Sequence, residues 1–368
     1  MNVIKYRVLL AALIMSFSVC SSAQAIAFKE IKAAKQAKLN GIPWGMTFVS
    51  ADQLIVTLKH GSALLLNIRN GVIREVKGFA DIKVTGQGGL LDVAASPNFD
   101  KDHWLYFTYV TNVAAGATTA LARAKFVMNN EQGPLQLTNW QTLLVTDAGS
   151  NKGQHFGSRI AFDNDGHVFF AVGDRGRREN AQDLSNHAGK VMRLNLDGSV
   201  PADNPFIANE KALVQIWSYG HRNPQGLFFD SKTNKLWSSE HGPRGGDEIN
   251  LIEKGKNYGW PVVSFGKEYW GPIDIGEGTE KAGMQAPSYV YIPSIAPSFL
   301  LIHNEKFFLG ALVKQHLNVV SVDDAGKLSE HRYLESLSQR VRSMAINSKG
   351  ESFIGTDSGT LYRLTFTP

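Results

Sequence analysis

Apolar and polar positions alternate over short stretches of this chain, and no helical period is sustained anywhere after the first 25 residues. A recurring unit carries the alternation. A polar turn leads into a strand rich in aromatic and β-branched residues. A Gly/Asp/Asn turn follows, and then usually a second alternating strand. The unit recurs near Ala51, Lys101, Asn164, Ser231, Asn304 and Asn347, at spacings of 50, 63, 67, 73 and 43 residues. Such spacing suits four-stranded blades with insertions, without the regularity or Trp-Asp dipeptides of WD40 units. The expected fold is all-β, a six-bladed β-propeller of four-stranded antiparallel blades. An array of β-sandwiches is the architectural alternative. A Gly- and Pro-rich stretch from Val262 to Ser288 reads as a rim insertion, since loops of that length are uncommon unless functional.

The N-terminus reads as an export signal. Lys5 and Arg7 precede an apolar run from Val8 to Val19, and Ala23-Gln24-Ala25 offers a cleavage site. The run is shorter than the roughly 20 residues of a membrane span. Residues 1–25 are therefore expected to be a signal peptide and 26–368 a single propeller domain, located in the periplasm of a bacterial host. The one cysteine of the 368 residues, Cys20, falls within that signal. This excludes a disulfide scaffold and any multi-cysteine metal site. The net charge is +5, and the basic residues after the signal form no run of four. Neither a nucleic-acid footprint nor stable membrane insertion is expected.

Four polar loops interrupt the strands. Gly86-Gln87-Gly88-Gly89 implies a backbone that approaches something closely. His155 precedes one strand and Asp174 closes the next, so an antiparallel pair would bring them to one end of a blade. A carboxylate beside an imidazole fixes its tautomer and raises its basicity, as a general base requires. Arg222 and Asn223, in Tyr219-Gly220-His221-Arg222-Asn223-Pro224, offer donors to a carboxylate or a carbonyl oxygen. The Gly-rich stretch from Glu240 to Asn250 has the carboxylates and carbonyls of a hard-cation site, although not the EF-hand ladder. Arg340 and Arg342 stand two apart in an expected strand, on one face, which is costly unless an anion or acidic side chain meets them. On residue chemistry alone, ordinary turns and surface charge account for each of these loops as well.

Taken in order, GQGGLLDVAASPNF, HFGSRIAF with VFFAVGDRG, YGHRNPQGLFFD, SSEHGPRGGDEINLIEKGKNYGWP and QRVRS resemble the soluble quinoprotein sugar dehydrogenases, in the aldose branch of the glucose/sorbosone dehydrogenase family. The resemblance spans Gln87 to Arg342. It implies a propeller that binds pyrroloquinoline quinone (PQQ) and Ca²⁺ and oxidises the anomeric C1 hydroxyl of aldose sugars to lactones by hydride transfer. It assigns His155 as general base, Asp174 as its orienting carboxylate, and Arg222 to charge developing on the quinone that Ca²⁺ polarises. Gln87, Arg222, Asn223, Tyr269, Lys314, Arg340 and Arg342 match cofactor-contacting positions. Lys314 stands one residue beyond the place where the family often carries its lysine. The carbonyls of Gly242 and Pro243 match ligands of the cofactor-bound Ca²⁺. Glu248 and Tyr258 match a second, structural Ca²⁺ site. The partners implied are an aldose, an electron acceptor (a quinone or periplasmic cytochrome) and a monomeric or homodimeric state. Two other classes fit the same fold: a propeller that binds a glycan or protein, and a Ca²⁺-dependent lactonase-type hydrolase working without a quinone.

Overall fold

The alternation resolves into antiparallel meanders in a computed structural model that describes residues 28–128, 134–322 and 328–368. The expected signal peptide, with Cys20, lies outside the described residues. No helix among the described residues is long and apolar enough to cross a membrane. The described chain opens with β1 (Glu30–Lys38). A first meander follows: β2 (Pro43–Ser50), β3 (Gln53–Leu58), β4 (Ser62–Asn67) and β5 (Ile73–Lys77). A second comprises β6 (Leu90–Ala95), β7 (Trp104–Val113), β8 (Gly116–Met128) and β9 (Leu135–Val145). Parallel pairing of β5 with β9 fuses these two into one eight-stranded sheet.

Four further sheets have four strands each. One holds β10 (Ile160–Phe162), β11 (His167–Val172), β12 (Lys190–Asn195) and β13 (Ile216–Tyr219). The next holds β14 (Pro224–Asp230), β15 (Lys235–Glu240), β16 (Asp247–Ile252) and β17 (Tyr289–Tyr291). Then come β18 (Leu301–His303), β19 (Lys306–Ala311), β20 (His316–Val322) and β21 (Leu328–Tyr333). The last sheet combines β22 (Val341–Ile346), β23 (Ser352–Thr356) and β24 (Thr360–Thr367) with β1, which pairs with β24. Both ends of the described chain are thus hydrogen-bonded into one sheet, which covers the edge that β24 would otherwise expose.

Both faces of each meander are buried, because a separate apolar cluster lies between each meander and the next. Ile55 and Leu65 meet Leu90 and Phe107, and Leu121 meets Val168 and Phe170. Phe169 and Val191 meet Leu227 and Leu236. Ile249 meets Leu300 and Phe307, and Phe308 and Leu317 meet Ile354. The series returns to its start where Leu54 and Leu66 meet Phe353 and Leu361. Each such side chain contributes about 1.5–3 kcal/mol by leaving water.

The first strands of the meanders approach one another at the centre. There β2 packs on β6 and β22, and β10 on β6 and β14. Four of these strands begin with an irregularity in register, between Pro43 and Gly45, Leu90 and Val93, Pro224 and Gly226, and Val341 and Ser343. A bulge re-aims the side chain it carries. Here it carries Trp44, Leu91, Gln225 and Arg342, and all four line one central cleft of about 290 Å³.

Candidate active site

Arg159, immediately before β10, ties the strands around this cleft together. Its guanidinium donates to Asp92 Oδ1 (2.7 Å), to the Gln225 carbonyl (3.1 Å), and to the carbonyls of Ser298 (2.9 Å) and Arg342 (3.0 Å). It also lies 4.2 Å from the centre of the Trp44 ring. One buried side chain therefore touches residues of every other meander. Asp92 Oδ2 in turn accepts the Ile160 N–H at 2.9 Å, so both carboxylate oxygens are used.

Beside this hub, the expected imidazole–carboxylate pair is formed. Antiparallel pairing of β10 with β11 puts the segment before the first strand and the loop after the second at one end. His155 Nδ1 lies 2.6 Å from Asp174 Oδ1. The second Asp174 oxygen accepts the Trp260 indole N–H at 2.8 Å, and Oδ1 also accepts the Gly176 N–H at 2.7 Å. With Nδ1–H donated to Asp174, Nε2 keeps its lone pair, and no hydrogen bond among the described residues engages it. Burial lowers the His155 pKa. Asp174 opposes that shift, while the charges of Arg222 and Arg175 reinforce it. Burial pushes Asp174 up, but the His155 contact, the Gly176 N–H and the Arg222 charge together outweigh it and hold the carboxyl below its ordinary value. His155 has φ +56°, and its N–H donates to Gln87 Oε1 at 2.9 Å, so Gln87 fixes the backbone of the base. The close approach expected of the Gly86 loop is to the protein's own chain. A Cβ on Gly86 would lie 2.0 Å from the Gly153 carbonyl, and one on Gly89 1.9 Å from that of Lys59.

Arg222 is held just before β14. Its N–H donates to Glu240 Oε2 (2.7 Å), and Nη1 donates to the carbonyls of His241 (3.1 Å) and Gly242 (2.7 Å). The Gly242 carbonyl thus faces a positive group, although in this structure the cation is a guanidinium. Asn223 Oδ1 accepts the Gly157 N–H at 3.2 Å, which couples the two loops. Asp247 anchors the Gly242 segment by accepting N–H groups from Gly242, Ile295 and Ala296 at 2.7–2.9 Å. Arg222, Gly242, Pro243, Glu240, Glu248 and Tyr258 line a small pocket of about 10 Å³. Burial and the neighbouring Glu240 push the Glu248 pKa up. Two carboxylates share this space, and Asn250 Oδ1 nearby is buried without a partner. The expected side chains and carbonyls therefore converge. Among the described residues, no cluster of three or more His, Cys, Asp or Glu with metal-binding geometry is present, so carbonyl oxygens would have to supply much of any cation shell.

At the other side of the cleft, Arg340 and Arg342 converge as expected, and the acid that meets them is Asp357, just after β23. Arg340 Nε donates to Asp357 Oδ2 at 2.7 Å, and Arg342 Nε and Nη2 to both oxygens at 2.7 and 2.8 Å. Lys59 lines the same cleft. Lys314 does not line it; it is exposed in the turn between β19 and β20. Tyr269 sits on the rim, 66% exposed, with its hydroxyl 3.5 Å from Arg222 Nη2. Its loop is fastened by the two-pronged Arg178–Glu268 contact (2.6 and 2.7 Å) and by a small apolar cluster of Ala181, Trp260 and Ile275.

Sequence reasoning gave no role to Trp260, Arg159, Asp92, Asp357 or Lys59. Trp260, Arg159 and Asp92 lie inside the motifs above, and the lone Arg340/Arg342 pair calls for an acid such as Asp357. Lys59, in a plain hairpin turn, carried no signal.

The family model for glucose/sorbosone dehydrogenases matches residues 40–363. The aldose sugar dehydrogenase YliI of Escherichia coli is 35% identical over 338 residues, covering 88% of this chain and 90% of the relative. The crystal structure of the soluble aldose sugar dehydrogenase from Escherichia coli in its apo form superposes with a TM-score of 0.86 at 33% identity, over 92% of this chain and 99% of that one. A PQQ-bound aldose sugar dehydrogenase from Streptomyces coelicolor shares the fold at 24% identity and a TM-score of 0.77, over 92% of this chain and 98% of that one. The meanders, their all-β character and these matches agree, and the chain belongs to the glucose/sorbosone dehydrogenase family.

Proposed function

We propose that this protein is a periplasmic, PQQ- and Ca²⁺-dependent dehydrogenase that oxidises the C1 hydroxyl of aldoses to lactones. Its fold reads as one six-bladed propeller over residues 26–368, closed by β1, with residues 1–25 as its export signal. The cycle of apolar clusters and the reach of Arg159 support that count. The observation that carries the function is the oriented His155–Asp174 pair beside a cleft with surplus positive charge.

The residues fit an acidic cofactor. Lys59, Arg340 and Arg342 face one carboxylate, Asp357, which leaves a formal +2 in the cleft. An anion with several carboxylates, such as PQQ, balances that charge. The cation sites also fit. The Gly242 carbonyl already accepts a positive group, and the Glu240–Glu248 pair carries the hard oxygen donors that Ca²⁺ favours. Gln87, Asn223, Arg340 and Arg342 would hold the cofactor, with Gly242 and Pro243 on its Ca²⁺ and Glu248 and Tyr258 on the second ion. When bound, PQQ supplies the two-electron oxidant for the sugar C1 hydride, and Ca²⁺ makes it more electrophilic.

The chain's own residues then handle the proton and the geometry. Nε2 of His155 receives the anomeric hydroxyl proton, and Asp174 stabilises the resulting imidazolium while Trp260 fixes the carboxylate. The lowered pKa keeps His155 neutral and ready at pH 7. Arg222 places a fixed positive charge where negative charge develops. Tyr269, on the rim, borders the sugar's entrance. The test is product analysis. With PQQ, Ca²⁺ and an artificial electron acceptor, an aldose should yield its lactone. Omitting PQQ should abolish the reaction, and lactone hydrolysis without PQQ would favour the hydrolase reading instead.

A further inference from the structure

Lys59 has a charge without a counterion of its own. It lies in the turn between β3 and β4, and its Nζ donates to the Gly86 carbonyl at 2.6 Å. No carboxylate among the described residues forms an ion pair with it. Asp357, the one acid lining the cleft, is engaged by three guanidinium N–H groups from Arg340 and Arg342. An ammonium has three donors, and the Gly86 carbonyl takes one of them. Burial lowers the Lys59 pKa and the nearby Arg342 lowers it further, while the more weakly felt Asp357 opposes them without outweighing them.

We propose that Lys59 is a third cationic contact for the carboxylates of the bound cofactor, supplied by the first meander where the resemblance had assigned Lys314. The inference rests on the PQQ reading given above. The geometry also links this charge to the catalytic base. Lys59 pins Gly86, and the adjacent Gln87 accepts the His155 N–H. An anion seated on Lys59 therefore lies at one end of a short chain of contacts that sets the position of His155.

The experiment is a titration with PQQ at saturating Ca²⁺, followed by quenching of protein fluorescence, on wild type, K59Q, K59R and K314M. K59Q removes the charge but keeps an N–H for Gly86, which protects the fold. Loss of one charged hydrogen bond should raise Kd about 10- to 100-fold in K59Q. K59R should stay within about threefold of wild type, and K314M should match wild type. Melting of the PQQ-free variants should coincide with wild type. K59Q within twofold of wild type would overturn the proposal, and so would K59R as weak as K59Q. Failure of wild type itself to bind PQQ is a separate outcome that would overturn the cofactor reading.

Discussion

Removing Arg159 should loosen the whole central cleft. The side chain is buried, pairs with Asp92 at 2.7 Å, and also satisfies the carbonyls of Gln225, Ser298 and Arg342. In R159M the aliphatic stem is kept, but Asp92 becomes a buried carboxylate without its cation. Breaking one side of a buried pair costs about 3–5 kcal/mol. With about 2.1 cal/mol/K of unfolding entropy per residue, a chain of this size unfolds with roughly 0.7 kcal/mol/K, so the expected fall in Tm is about 4–7 °C. Calorimetry on the metal- and cofactor-free protein measures this directly. The double variant R159M/D92L should recover part of the loss, because no orphaned charge remains. A Tm for R159M within 1 °C of wild type, or a double variant equal to the sum of the single losses, would refute the assignment of Arg159 as the hub. The same variant should bind PQQ less tightly, since the backbones of Gln225 and Arg342 lose their common anchor.

Other outcomes follow from the site. H155A should lower kcat about 10²–10⁴-fold with the Kd for PQQ unchanged; near-wild-type turnover would remove His155 as the base. Because the folded-state pKa of His155 is lowered, the acid limb of kcat/KM should fall below the ordinary value of about 6.5, and a limb above it would contradict the buried, Arg222-flanked setting. Ca²⁺ at 100 times its Kd should add about 2.7 kcal/mol of stability, seen as a higher Tm that EDTA reverses, and E248Q should lose much of that response. Lys190 is buried with its pKa lowered to about 7, so the unfolded state holds the extra proton above that pH. Wild-type stability should therefore rise from about pH 7 towards 10 relative to K190M, and parallel pH–stability curves would count against that burial.

The legible part of this fold was its regular part. Each recurring unit in the sequence corresponds to the two middle strands of a meander: β3–β4, β7–β8, β11–β12, β15–β16, β19–β20 and β23–β24. Those strands are largely buried, apart from the second half of β24, and most pairs are joined by short turns, residues 173–189 between β11 and β12 being the long exception, so their pattern is strong. Four of the first strands are interrupted near their start by a bulge whose residue turns to the cleft, and the other two span only three residues each, which hides their period. The outer strands are half exposed. β1 belongs to the last sheet through pairing across the full length of the chain, and no local pattern encodes that. Pairs close in sequence, such as His155 with Asp174, follow from antiparallel geometry. Arg159 with Asp92, Trp260 with Asp174 and Lys59 with Gly86 depend on where loops of different meanders meet, which alternation leaves open.

The proposed reaction joins an oriented base to a cation-rich cleft, with PQQ as the oxidant of the aldose. The most direct measurement is a single turnover. Protein loaded with PQQ and Ca²⁺ is mixed with an aldose in the absence of any acceptor, and the cofactor absorbance is recorded. Wild type should convert rapidly to the spectrum of the reduced cofactor with one equivalent of lactone, and H155A at least about 10²-fold more slowly. A loaded wild-type protein whose spectrum does not change on adding aldoses would contradict that reaction.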